Sequence, residues 1–139
     1  MKQFMYLCLL TLLACSSAPT QLIVGKDVCS FCKMTVSDNR FGGALRSPKG
    51  KTYLFDDAEC LHNFIKEHKE FDFNKCSLWL VDFSNPHYLM DIHQAYLVKS
   101  IHYKGPMSGD IIAFSSKVTA LNYIKVQGGE EIGANTFLP

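Results

Sequence analysis

The apolar positions of this chain fall into short runs separated by turn-forming residues, with no single long period. Met34–Val36 is a short β-leaning segment closed by Ser37-Asp38-Asn39. Phe41–Leu45 and Lys51–Phe55 flank Ser47-Pro48-Lys49-Gly50, a combination that predicts a β-hairpin. Asp56 or Asp57 then caps a predicted helix with Cys60, Leu61, Phe64 and Ile65 at helical spacing, ending at Glu67-His68-Lys69. Ser77–Val81 reads as a buried strand that stops at Asp82, and Ser84-Asn85-Pro86 breaks it. Beyond His87, strands are expected at Tyr88–Met90, Ala95–Val98 and Ile111–Phe114, with a loop at Gly105–Gly109. Ser115 or Ser116 caps a second helix carrying Val118, Leu121, Tyr123 and Ile124. Gly128, Gly129 and Gly133 loosen the end of the chain, so 128–139 is expected to be a flexible tail.

The same pattern recurs. Displaced by 59 positions, Gly50 falls on Gly109, Phe55 on Phe114, Asn63 on Asn122, Ile65 on Ile124 and Lys66 on Lys125. Both stretches read turn, strand, phenylalanine, small polar cap, helix. The expected fold class is therefore α+β: two small ββα-type halves, 27–82 and 87–127, each too short to bury its own face and packed as one domain.

The first residues belong to a different class. Lys2 precedes an apolar run of about ten residues, the length of a signal-peptide core and too short to span a bilayer. It ends in Leu12-Leu13-Ala14-Cys15, which resembles a bacterial lipobox. That resemblance implies removal of residues 1–14 and lipidation of Cys15. Ser16 in the next position favours the outer membrane, facing the periplasm, over the inner. Residues 15–26 read as a tether. The net charge of +1, with no basic stripe, argues against a nucleic-acid partner.

Of six cysteines, Cys8 lies in the leader and Cys15 takes lipid, leaving Cys29, Cys32, Cys60 and Cys76. Cys29-Ser-Phe-Cys32-Lys-Met34 gathers three sulfurs in six residues. A turn brings Cys29 toward Cys32. An extended chain after it puts Cys32 and Met34 on one face and Lys33 on the other. Three fates fit a Cys-x-x-Cys outside the cytoplasm: a metal site, a disulfide, or a redox pair. Thioether is a poor zinc ligand, whereas thiolate with thioether suits Cu(I). Met107 stands in an otherwise polar loop and offers another thioether. Cys60 sits beside Phe64 on the predicted helix and reads as a core residue. The five histidines read as surface or packing residues.

Taken together, Cys29-x-x-Cys32-x-Met34, Tyr53-Leu-Phe-Asp-Asp-Ala-Glu-Cys60, Trp79-Leu-Val-Asp82, Asp91 to Val98 and Pro106-Met-Ser-Gly-Asp-Ile-Ile-Ala-Phe114 resemble the NosL family, in order and over almost all of 27–125. These are copper-binding lipoproteins that accompany nitrous oxide reductase. The resemblance implies a duplicated fold similar to that of organomercurial lyase. It implies a non-enzymatic, membrane-anchored chaperone that binds Cu(I) and delivers it to apo nitrous oxide reductase. Cys32 and Met34 carry over as ligands from the Cys-x-Met segment and Met107 from the Pro-Met segment; Cys29 matches a position that is often sulfur or nitrogen. Two departures stand out. The family often has glycine where this chain has Lys33, and again where it has Ser108. The competing function is an envelope thiol–disulfide oxidoreductase using Cys29 and Cys32.

Overall fold

The computed structural model describes residues 21–138, so the leader, the lipidation residue Cys15 and most of the tether lie outside the described residues. The predicted hairpin forms from β1 (Gly43–Arg46) and β2 (Thr52–Phe55), paired antiparallel with Ala44 opposite Leu54. Helix α1 (Ala58–Glu67) comes next and buries Ala58, Cys60, Leu61, Phe64 and Ile65, the spacing that puts one stripe on a helix toward the core. Asp57 is its N-cap. Strand β3 (Ser77–Asp82) pairs antiparallel with β1 and also with β4 (Asn85–Asp91). A second antiparallel hairpin, β5 (Tyr96–Lys99) with β6 (Ile111–Phe114), leads into α2 (Lys117–Gln127), capped by Ser116. The strands form one sheet in the order β2-β1-β3-β6-β5-β7, β7 being Glu130–Ile132.

Both sheet faces are covered, which is why the central strands read as continuous apolar runs. Alternation along each strand divides the core. Leu45, Leu78, Leu80, Leu97 and Ala113 join the cluster of α1. Ala44, Trp79 and Val81 pack with Leu22 and Val36, and Val98, Ile112 and Phe114 pack with Ala120 of α2. The helices thus lie on opposite faces of the sheet. Only Ala120 of α2 is buried, while Val118 and Leu121, expected to serve its apolar side, are exposed.

Three expectations need correction. Leu22, assigned to the tether by its neighbours, is buried in the core, and Ile23 to Asp27 form a turn closed by the Asp27 carboxylate on the Ile23 N–H. The tail expected to be flexible carries β7, paired with β5, and a short helix α3 (Ala134–Phe137). Phe137 is buried against α1, and its carbonyl meets His62 Nδ1 at 2.7 Å, so one large side chain near the C-terminus outweighs the three glycines before it. Thirdly, Cys32 to Met34 is not extended: Lys33 has φ +65°.

The two hairpin–helix runs meet where β3 pairs parallel with β6, at Asp82 and Ala113. Asp82 is buried and accepts from the Ser84 N–H at 2.8 Å, the Ser84 hydroxyl at 2.6 Å, the Ser115 N–H at 3.3 Å and the Ser115 hydroxyl. Burial alone would raise its pKa, but the hydrogen bonds from Ser115 and Ser84 outweigh it and hold the carboxyl below its usual value. A depressed folded pKa contributes stability that is present above the unfolded value of about 3.9 and is lost as pH falls through the folded value. Asp82→Ala should lower the unfolding free energy by about 1–2 kcal/mol at neutral pH, since it removes the acceptor of four hydrogen bonds whose serine donors are open to water. Urea titrations at a series of pH values should show the gap between parent and variant closing below about pH 4.

Candidate metal centre

Residues 27–36 form a tight hairpin at the edge of the sheet. Val28 bridges Thr35, the Cys29 N–H donates to the Met34 carbonyl at 2.8 Å, and the Lys33 N–H donates to the Cys29 carbonyl at 3.1 Å. The Ser30 N–H reaches the Leu54 carbonyl of edge strand β2 at 2.7 Å, and the Ser30 hydroxyl accepts from the Leu54 N–H. This clamp caps an edge that would otherwise offer free backbone groups. It also folds the chain around that edge. Val36 stays with the cluster beside Trp79, while Cys29 enters the core on the α1 face.

There Cys29 meets Cys60. Asp57 Oδ1 accepts from the Cys60 N–H at 2.8 Å, which fixes Cys60 in the first turn of α1, facing inward. The Sγ atoms of Cys29, Cys32 and Cys60 all lie within 4.8 Å of one another. Cys29 and Cys60 are buried and Cys32 is partly exposed; no disulfide joins them. Sequence reasoning assigns Cys60 to the core and misses this meeting. The available signal is its distance of three from the capping Asp57, which orients a first-turn side chain. Cys76 lies apart at the start of β3, its thiol toward the Asp72 carbonyl at 3.6 Å.

The second sulfur-bearing loop reaches the same carboxylate. Asp57 Oδ2 accepts from the Met107 N–H at 2.9 Å. The loop closes on itself through Gly105 N–H to the Gly109 carbonyl at 2.7 Å and Ser108 N–H to the Gly105 carbonyl at 2.8 Å. A Cβ at Gly105 would come within 2.7 Å of Asp57 Oδ2, so the close approach requires glycine there. Tyr103 packs edge-on against Phe83, and Arg40 lies over both rings, anchoring the approach to the loop. Met34 and Met107 are both exposed, at 54% and 39%. The structure therefore brings the three cysteines together in the interior and sets the two methionines on the surface, each one short step along the chain or through Asp57 from a cysteine. His87, His93 and His102 are exposed, and no histidine among the described residues joins the cysteine group.

The thiols divide their protons unequally. A hydrogen bond from Cys60 acts first on Cys29; burial opposes it, and the backbone N–H groups of Asp56, Cys32 and Phe31 reinforce it. Together they lower the Cys29 thiol from 9.0 to about 5. Cys60, whose proton is engaged with Cys29 and which is buried beside it, is pushed up. Burial also raises Cys32, with the charge on Cys29 adding to it and the Met34 N–H opposing it. One thiolate surrounded by thiol donors is a soft anionic pocket. Lys33 does not complement it: its ammonium turns to the Ser30 carbonyl at 2.6 Å.

The NosL family profile matches residues 20–136. The chain belongs to the NosL family. No curated protein sequence matches it. Among solved structures it is similar to the crystal structure of the copper chaperone NosL from Shewanella denitrificans, at 21% identity and a TM-score of 0.69, over 87% of this chain and 98% of that one. The likeness to that structure bears on the fold, which is mixed α+β. Among the described residues no helix is long and apolar enough to cross a membrane.

Membership makes the two sequence departures intelligible. Lys33 at φ +65° and Ser108 at φ +64° are the non-glycine residues with positive φ among the described residues, and they are the two departures noted in the sequence. Each adjoins one of the exposed methionines. A side chain in the left-handed region costs roughly 1 kcal/mol relative to glycine. Lys33→Gly and Ser108→Gly should each raise stability by up to about 1 kcal/mol, read as a shifted urea midpoint at unchanged slope.

Proposed function

We propose that this chain is a Cu(I) chaperone of the bacterial envelope, anchored by lipid at Cys15 to the outer membrane and facing the periplasm, that delivers copper to apo nitrous oxide reductase. It carries its metal as cargo and is not an enzyme. The observation that carries this reading is the gathering of cysteine sulfurs at one point, next to a loop that a single carboxylate holds against them. Thiolate and thioether together select a soft monovalent ion. Cys29, Cys32, Met34 and Met107 are the proposed ligands, Cys32 being the partly exposed thiol between the interior and the two surface thioethers. A neutral, exposed thioether is a ligand that a receiving protein can replace without leaving an uncompensated charge behind. The two hairpin–helix runs are in this reading the halves of an internal duplication, the first supplying Cys29, Cys32 and Met34 and the second Met107.

The placement of the cysteines favours the chaperone reading over the oxidoreductase alternative. An activated Cys-x-x-Cys pair characteristically opens a helix, where the helix N-terminus lowers the thiol pKa. Cys29 and Cys32 instead lie in a hairpin turn, and it is Cys60 that sits in the first turn of α1.

Titration of reduced protein with Cu(I) against a chromogenic chelator tests the proposal. The parent should take one Cu(I) per chain. Cys32→Ser should weaken binding about a hundredfold and Met107→Leu about tenfold. Asp57→Asn keeps an N-cap oxygen for Cys60 but has no second oxygen for the Met107 N–H. It should match Met107→Leu, and the double variant should be no weaker than either alone. Parent-like affinity in Cys32→Ser would remove the basis of the proposal.

A further inference from the structure

Cys60 has no role in the proposed ligand set, yet its Sγ lies in the same cluster as those of Cys29 and Cys32. Three features distinguish it from a packing residue that happens to carry sulfur. Its position is over-determined, because the Asp57 cap fixes its backbone and the first turn of α1 fixes its direction. Its partners come from a separate segment, clamped independently onto β2. The spacing also suits a metal. A soft ion with three sulfurs in one plane at about 2.3 Å sets them about 4.0 Å apart. Separations of no more than 4.8 Å need only a small side-chain contraction to reach that. A disulfide would need far closer approach, and none is formed.

The arrangement is also graded. Cys29 and Cys60 are closed to solvent, Cys32 is partly open, and Met107 and Met34 are exposed. The thiols are the less exposed members of the set and the neutral thioethers the more exposed, with Cys32 intermediate in exposure.

We infer that Cys60 is a third thiolate ligand, and that Cys29, Cys32 and Cys60 form an inner Cu(I) position behind the thioether rim. The inference rests on the Cu(I) reading of the site and extends it: the cargo has a closed, all-thiolate position and an open one, sharing Cys32. Passage between them exchanges sulfur ligands on an ion that stays Cu(I), and each thiol that coordinates releases its proton to solvent. Loaded protein populates both positions, so thiolate and thioether both contribute to the copper environment: the closed position retains the ion and the open one presents it.

Copper K-edge X-ray absorption and chelator competition on the reduced, Cu(I)-loaded protein provide the test, with folding checked by circular dichroism. Cys60→Ser should weaken binding about tenfold and reduce the sulfur count at copper by one, while Cys76→Ser changes neither. The Met34→Leu/Met107→Leu double variant, which leaves α1 untouched, should still hold Cu(I) through three sulfurs. Cys60→Ser or Cys60→Ala that binds with parent affinity and parent sulfur count overturns the inference and leaves the chaperone reading standing, and so does a double variant that holds copper through fewer than three sulfurs. A parent that takes up no Cu(I) overturns both.

Discussion

One carboxylate joins the two loops on which this site depends. Asp57 accepts through Oδ1 from the Cys60 N–H in α1 and through Oδ2 from the Met107 N–H in the loop between β5 and β6. Each is a charge-assisted hydrogen bond at a buried residue, stronger than its neutral counterpart and costly to leave unmade. A helix cap is ordinarily a local device. Here the second oxygen makes it a long-range one, tying the start of a helix to a loop fifty residues later. The same constraint explains Gly105, where a side chain would press on Asp57; at Gly109 it would press first on Glu59 in α1.

The sulfurs differ in how firmly the fold holds them. Cys29 and Cys60 sit in the main core cluster, and their geometry is inherited from the packing of α1 on the sheet. Met34 and Met107 are held by backbone, at turns whose tightness demands left-handed residues at 33 and 108. Those turns are where the chain accepts strain, which is the usual pattern at sites that must present a group and not bury it. The combination pairs firmly packed thiols with exposed, adaptable thioethers, methionine being unbranched and polarizable.

Much of the fold is legible in the sequence, and the parts that are not share a cause. Strand β6 is found at the residues expected, and Asp57 and Ser116 cap their helices, because turn residues, caps and short apolar runs act locally. The expected extension through Cys32 and Met34 fails at Lys33, where a tight hairpin overrides the ordinary preference of a non-glycine residue. The order of the tail is hidden because its glycines speak locally while Phe137 acts through tertiary burial. Cys60 is a core residue, as its helical spacing indicates. Its meeting with Cys29 depends on how the first segment wraps the β2 edge, and no spacing records that. Met107 stands out by its polar surroundings in the sequence, but its tether to Asp57 exists only in the folded loop.

Copper, in this account, is held jointly by the cysteine cluster and the two surface methionines. Copper K-edge absorption on Cu(I)-loaded protein labelled with selenomethionine addresses that claim directly, because sulfur and selenium scatter differently. Within the core domain the remaining methionine, Met90, is buried in the sheet. The account predicts a copper–selenium distance alongside copper–sulfur distances, lost when Met34 and Met107 are both replaced by leucine. A loaded protein whose copper shows sulfur neighbours and no selenium would contradict it.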